Sequence, residues 1–415
     1  MTPAQTAATF LTLMALVGWI NARTVRAPQS VALLSAGVVA AGALFAAQKL
    51  IGPFWGFSSV QAEIARLDFS ETVLGYLLAF LLFGGGLQVD LGEFRRRRWQ
   101  IWSLATVGVL VSTALVGFGA WSAARLVGLP LPLSWALVFG ALIGPTDPVA
   151  VMANVKSGEL SKALGAILQG EALFNDGVGL VAFTAALAFL NTGAAPSLAH
   201  IATEVLVEVG GGLVLGLTGG WLVSRLMRAV GDEVVGLTAT LALATGVYVL
   251  AQAVHVSGPI AAGAAGLVVG SSDLGDAGDH RRLMHSFWHG ADAVLNGLLF
   301  LLLGLQIFVV PFDPREVGIW AVAIVVVIAA RLVVVLPWGA YFRLRRNERG
   351  ASLLLAWGGL RGAISLALAL TLPEGAPRSL VLSATFAVVI FSVVVQGLTF
   401  GPLAKGLAGQ RGAAS

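Results

Sequence analysis

Uncharged apolar stretches of about 20 residues follow one another along this chain, separated by short segments that carry most of its charge. A helix that is apolar on every side has to lie in a large core or in lipid. Composition decides between the two. Charged residues make up 11% of the 415 and hydrophobic ones 57%, whereas a soluble domain carries about 25% charged residues to cover its surface. The chain therefore reads as an all-α polytopic membrane protein.

The length rule gives about 13 spans, near 5–22, 30–49, 72–90, 100–126, 133–153, 162–191, 201–226, 234–254, 257–271, 286–310, 317–341, 351–372 and 379–404. Segment 51–70, with Trp55, Glu63, Arg66 and Asp68, has the mixture of an interfacial stretch. With the N-terminus outside, the inside loops hold 18 of the 25 basic residues, among them Arg95 to Arg98, and the outside loops hold five. The last two, Arg331 and Arg361, fall within spans. Basic residues favour the cytoplasmic side, so this arrangement puts the N-terminus outside and the C-terminus in the cytoplasm of the cell membrane. One membrane domain, 1–415, is expected, without a linker, a soluble domain or a cleaved signal.

Several function classes drop out. The absence of cysteine removes disulfides, thiolate metal sites and cysteine nucleophiles. A net charge of +4 does not indicate nucleic acid here, because the basic residues sit in interhelical loops. His200, His255, His280, His285 and His289 cluster at span ends without metal-ligand spacing. No cofactor is expected.

The informative residues are the charges inside spans: Asp147, Glu171, Asp176, Arg331 and Arg361, with Asp292 and His289 nearer a span end. Ionised groups in that setting are costly unless paired, hydrated or used. Asp147 lies in GPTDPVAV, where Pro145 and Pro148 each remove a backbone donor. A broken helix at membrane depth is tolerated where it lines a cavity or is covered by protein, and its freed carbonyls can ligate a cation. A simple proline kink capped by Asp147 is the plainer alternative. Gly358, Gly359 and Gly362 around Arg361 mark a second interruption, seven spans later. An odd offset means opposite membrane orientation, the mark of an inverted repeat relating spans four to six and eleven to thirteen.

In EALFNDGVG, Glu171 and Asn175 share a helix face and Asp176 is displaced by one step. Glu171 is placed to pair with Arg361 or Arg331 as a structural strut. Asp176 is left without an evident fixed counter-ion, so it can hold a proton or a hard cation in turn. Asp176, Asp147, Thr146 and backbone carbonyls supply the oxygen such an ion prefers. The alternative is an Asp176 satisfied by a helix–helix hydrogen bond.

GPTDPVAV, GEALFNDGVG, LLFLLLGLQ and WGGLRGAISLALAL, spread in order from about residue 80 to 370, together resemble the NhaP and sodium–hydrogen exchanger branch of monovalent cation:proton antiporters. The resemblance implies a moving core domain (about 100–191 and 317–404) with crossed, unwound helices, and a dimerisation domain (about 1–90 and 201–310). It implies Asn175 and Asp176 as the ion- and proton-binding pair, Thr146 and Asp147 beside them, and a stabilising pair of Glu171 with Arg361. Arg331 matches the second core arginine. A homodimer and electroneutral one-for-one exchange of Na⁺, with Li⁺ or K⁺ as alternatives, against H⁺ are implied as well. Two positions depart from the family pattern. Gly84 stands where relatives often carry a glutamate, and Ala172 where many carry a serine, so two oxygen ligands are missing; Gln88 or water is the substitute to look for.

The expected mechanism is alternating access, in which Asp176 binds either a proton or one cation and only the neutralised site crosses readily. A channel is the first rival, though no ligand ring of the kind a pore uses repeats along the chain. An intramembrane aspartyl protease built on Asp147 and Asp176 is the second, but a buried Glu171 with two arginines is an odd setting for a proton-sharing dyad. A serine hydrolase lacks its G-x-S-x-G elbow. An enzyme is not expected.

Overall fold

The computed structural model describes residues 3–51, 69–147, 149, 160–194, 197–230, 232–272, 278–308, 310, 316–346 and 350–412. The interfacial reading of 51–70 and the end of the fifth span lie largely outside these residues. The described chain is helical throughout, apart from turns, loops and one isolated bridge. Among the described residues nine helices are long and apolar enough to cross a bilayer, and three shorter apolar helices accompany them.

In chain order these are α1 (Pro3–Arg23), α2 (Gln29–Ile51), α3 (69–87), α4 (Leu91–Leu126), α5 (Leu133–Ile143), α6 (Lys162–Thr192) and α7 (Leu198–Val230). There follow α8 (Glu233–Ala253), α9 (Gly258–Ser271), α10 (Gly278–Leu305), α11 (Val317–Arg346), the short α12 (Ala351–Trp357) and α13 (Ala363–Leu370), and α14 (378–412).

Helix α4 corrects one expectation. Arg95 to Arg98 are not a loop but lie in its first turns. The Asp90 carboxylate caps the helix, accepting from the N–H groups of Gly92 and Glu93 at 2.8 and 3.1 Å. Glu93 then pairs with Arg96 at 3.0 Å and Arg97 at 3.9 Å, one helical turn on. Arginine is a good helix former, and such pairs support a helix at the water interface.

Packing divides by neighbour. Helix α9 is held among α3, α7 and α8, while α10 lies on α2 and α3. On the other side α5 packs on α4 and α6, and α11 packs on α4, α12 and α14. Lipid offers no hydrophobic gain for bringing apolar helices together, so close approach has to come from small residues. The α3–α9 contact shows this: a Cβ on Gly266 would collide with the Phe83 carbonyl, and one on Gly86 with the Gly263 carbonyl. Among the described residues three helices carry a π turn, at Thr72–Leu77, Leu104–Gly108 and Phe391–Gln396. The last of these positions part of the site.

Candidate functional site

The two expected interruptions are present and they meet. Helix α5 stops at Ile143, and Gly144 to Asp147 leave the helical path, as two prolines in four residues require. On the other element α12 ends at Trp357 and the chain runs extended through Gly362 (φ −112°, ψ −168°) before α13 begins. Where they cross, the Asp147 N–H donates to the Leu360 carbonyl at 2.8 Å, forming an isolated antiparallel bridge.

The backbone groups freed by the breaks are largely taken up by protein. Arg361 reaches across with Nη1 to the carbonyls of Gly144 and Pro145, the second at 2.8 Å. Asn175 Nδ2 donates to the Thr146 carbonyl at 3.0 Å. The Arg361 N–H donates to Ser392 Oγ at 2.8 Å; Ser392 in turn donates to Gln396 Oε1 at 2.6 Å, and Gln396 Nε2 reaches the Trp357 carbonyl at 3.4 Å. Ser392 and Gln396 lie in the π turn of α14. The carbonyls of residues 144 to 146 thus each accept one protein donor, from Arg361 or Asn175.

Glu171 pairs with Arg331, not with Arg361. Nη1 and Nη2 of Arg331 engage both carboxylate oxygens, Nη2 to Oε2 at 2.8 Å, and Nη2 also meets the Leu355 carbonyl at 3.3 Å. The reason is reach. The Arg361 guanidinium reaches the Gly144–Pro145 carbonyls, while Arg331 extends from α11, which packs on α12, and the bare Gly359 after α12 lets it pass. Arg331 is 4% exposed and Glu171 1%. A forked guanidinium–carboxylate pair is the geometry that best offsets burial of two charges. Thr146 Oγ1 donates to Glu171 at 3.3 Å and accepts from Asn175 Nδ2 at 2.8 Å, so a hydrogen-bond chain runs from the ion pair to the neighbour of Asp176. Asn175 is fully buried, and its Oδ1 has no protein donor.

Asp176 is in a different situation. It lies with Asp147 and Thr146 on the wall of a cavity of about 600 Å³ that reaches outward past Gln169 to Asp90, Glu93 and Lys162. Among the described residues it makes no ion pair, and neither buried arginine is directed to it. The Asp147 carboxylate accepts from the Val149 N–H at 2.9 Å, a capping contact, and it lies against Gly362, where a Cβ would approach within 2.5 Å of Oδ2. The crossing thus brings together the six residues Thr146, Asp147, Glu171, Asn175, Arg331 and Arg361 beside Asp176, in two layers. The carboxylates of Asp147 and Asp176 face the cavity, and the ion pair lies behind them.

Sequence reasoning passed over Asp292 and Asn296 as site residues. Both line the same cavity from α10, with Asn296 Nδ2 donating to Asp292 Oδ1 at 2.9 Å. Their i, i+4 spacing on an apolar helix was the available signal. The missing glutamate also has a physical account. A Cβ on Gly84 would lie 3.3 Å from the Trp288 ring, which is buried and donates to Thr240 Oγ1 at 3.0 Å. Trp288 occupies that space, and position 84 is not on the cavity wall, whereas Ala172 and Gln88 are. Gln88 directs its amide back to the Gly84 carbonyl at 3.1 Å.

Comparison with known proteins agrees with this architecture. Residues 11–406 match the family model described as sodium/hydrogen exchanger, transmembrane. The Na⁺/H⁺ antiporter NhaP of Pseudomonas aeruginosa is 39% identical over 96% of this chain and 95% of its own length. The Na⁺/H⁺ antiporter NhaH of Halobacillus dabanensis is 35% identical over 82% of this chain and 84% of its own. A solved structure of the sodium proton antiporter MjNhaP1 from Methanocaldococcus jannaschii has the same fold, with a TM-score of 0.73 at 20% identity, covering 99% of both chains.

Proposed function

Because this multi-pass membrane protein belongs to the sodium/hydrogen exchanger family, we propose that it exchanges Na⁺, with Li⁺ or K⁺ as alternatives, for H⁺ by alternating access. One observation carries the reading. Asp176 lies on the cavity wall without a guanidinium partner, while both buried arginines are committed elsewhere. A carboxylate so placed can be neutralised by a proton or by a hard cation, but not by both at once. Asp147 and water complete the oxygen shell, Asn175 sets the position of Thr146 behind it, and Glu171 with Arg331 holds the crossing rigid. Asp292 offers a further carboxylate from the facing helix.

Each loaded form replaces one charge on Asp176 with one bound cation or proton, so the site crosses in the same charge state either way. This supports electroneutral one-for-one exchange. The empty, ionised site faces a barrier of several kcal/mol in hydrocarbon, which suppresses leak. The cavity reaches the end of the molecule bearing Arg95 to Arg98, which the positive-inside rule assigns to the cytoplasm. We therefore read the conformation as inward-facing, with the N-terminus outside and the C-terminus in the cytoplasm of the cell membrane. The moving unit consists of residues 100–191 and 317–404 and works against a dimerising scaffold of 1–90 and 201–310. The antiparallel crossing of the two interrupted helices supports an inverted repeat of spans four to six and eleven to thirteen, within about 13 spans. A role in pH homeostasis follows from such exchange.

A carrier reading accounts for the committed arginines and the cavity lined by Asp147 and Asp176 better than a channel or an aspartyl protease does. The test is Asp176→Asn in everted vesicles loaded with a pH-sensitive dye. Exchange driven by Na⁺, Li⁺ or K⁺ is expected to vanish while the protein remains in the membrane; persistent transport overturns the role given to Asp176.

A further inference from the structure

Two neighbouring helices carry their outward apolar rows to the same end of the molecule, and both rows finish in arginine. On α4, Trp99, Val107, Val111, Leu115 and Phe118 are exposed. The step from 99 to 107 covers two turns, because the π turn at Leu104–Gly108 adds a residue; the later steps are of three or four residues. All five therefore share one face, and Arg95, also exposed, lies on it one turn before Trp99. Arg98 is exposed beside it, its guanidinium 5.8 Å from the centre of the Trp99 ring. On α11, Val325, Leu332 and Leu336 are exposed at helical spacing, and Arg343 continues that row two turns on.

The two ends are tied together. Trp338 of α11 donates Nε1–H to Ser103 Oγ of α4 at 2.7 Å. Arg97, the buried member of its run, lies with its guanidinium 5.4 Å from the Phe342 ring, which sets Arg343 level with the α4 arginines. Exposed apolar rows on a membrane protein meet acyl chains, and tryptophan settles at headgroup level. Arg95, Arg98 and Arg343 then stand among phosphates. Charge selects the headgroup. The nearby carboxylates of Asp90 and Glu93 are turned to helix N–H groups and to Arg96 and Arg97. Among the described residues Arg95, Arg98 and Arg343 form no ion pair. A guanidinium fork matches two phosphate oxygens, whereas a zwitterionic headgroup brings an ammonium into a cluster already positive.

We propose that the paired ends of α4 and α11 bind an anionic glycerophospholipid of the phosphatidylglycerol class. Arg95, Arg98 and Arg343 take its phosphate, and its acyl chains lie along the two apolar rows. None of the three arginines lines the large cavity. The surface belongs to the outside of the bundle and does not depend on which ion the protein carries.

The test uses the purified full-length protein in detergent, with dioleoyl phosphatidylglycerol or dioleoyl phosphatidylcholine added to the micelles. Phosphatidylglycerol is expected to raise Tm by a few degrees in a saturable way, and phosphatidylcholine much less. The triple variant Arg95→Gln, Arg98→Gln, Arg343→Gln leaves Arg96, Arg97 and the Asp90 cap in place and is expected to fold. Its phosphatidylglycerol binding, read from the same titration and from lipid retained in native mass spectrometry, is expected to weaken roughly 100-fold, about fivefold for each arginine. Where the triple variant does not accumulate, the three single variants carry the test at about fivefold each. Equal Tm responses to the two lipids overturn the proposal, as does undiminished phosphatidylglycerol binding in the triple variant or in all three single ones. So does an equal rise in soluble glycerophosphate, which identifies a site for free phosphate and not for lipid.

Discussion

The identity of the partner of Glu171 is open to direct measurement. Glu171→Gln leaves Arg331 buried with its forked partner gone, and Arg331→Gln leaves Glu171 in the corresponding position. Removing one member of a buried pair costs about 3–5 kcal/mol, because the remaining charge has lost its compensation. The double replacement Glu171→Gln with Arg331→Gln leaves no orphan charge and is expected to recover much of that loss. Coupling between contacting residues runs at roughly 0.5–3 kcal/mol, and this pair, bidentate and 1–4% exposed, belongs at the upper end. The same cycle on Glu171 and Arg361 is expected to give weaker coupling, since Arg361 binds the carbonyls of Gly144 and Pro145 instead. Thermal unfolding in detergent at one fixed scan rate provides the comparison, because membrane proteins of this size seldom unfold reversibly. A stronger cycle for 171 with 361 than for 171 with 331 would refute the assignment, as would a Glu171→Gln protein with unchanged Tm.

Three further outcomes follow from the site. Gly362→Ala puts a methyl group within 2.5 Å of Asp147 Oδ2 and 2.8 Å of its Cβ, so the carboxylate has to shift. Cation-driven dye dequenching is expected to fall roughly 10- to 100-fold at unchanged expression, in line with what small misplacements cost, and wild-type rates would remove Asp147 from the site. Asp292→Asn is expected to raise the half-saturating cation concentration while leaving the maximal rate largely intact; loss of all transport would make Asp292 a second essential carboxylate. Gly84→Glu, which restores the family pattern, is expected to destabilise the protein through collision with Trp288. A gain in cation affinity there would contradict the account of that departure.

Much of the site is legible in the sequence because backbone chemistry is local. Two prolines in GPTDP and three glycines around Arg361 announce interruptions whatever the surroundings, and the structure has both. Partner choice is not local. Which arginine meets Glu171 depends on how α6 and α11 face each other, and two candidates of equal charge are indistinguishable without that geometry. The same holds for the freed carbonyls, which only the crossing assigns to Arg361 and Asn175. Ser392 and Gln396 were hidden for another reason: a π turn adds one residue to a helix without any compositional mark, and it is this turn that brings both side chains to the break. Asp292 went unselected because a span read as 286–310 put it near one end, whereas the helix begins at Gly278 and Asp292 lies at its middle. At Arg95 to Arg98 a run of charges suggested a loop, and the Asp90 cap shows a helix beginning there instead.

The single bridge between Asp147 and Leu360 has a mechanical consequence. The two interrupted segments share this bridge and the Arg361 bonds to Gly144 and Pro145, so neither can flex alone without stranding polar groups in an oily interior. On the proposed alternating-access mechanism the crossing travels intact, and the bundle around it tilts or slides as one piece against the rest of the molecule. Turnover should then be governed by how easily two smooth helical surfaces glide past each other, and residues far from any ion, on those sliding faces, become the ones that set the speed.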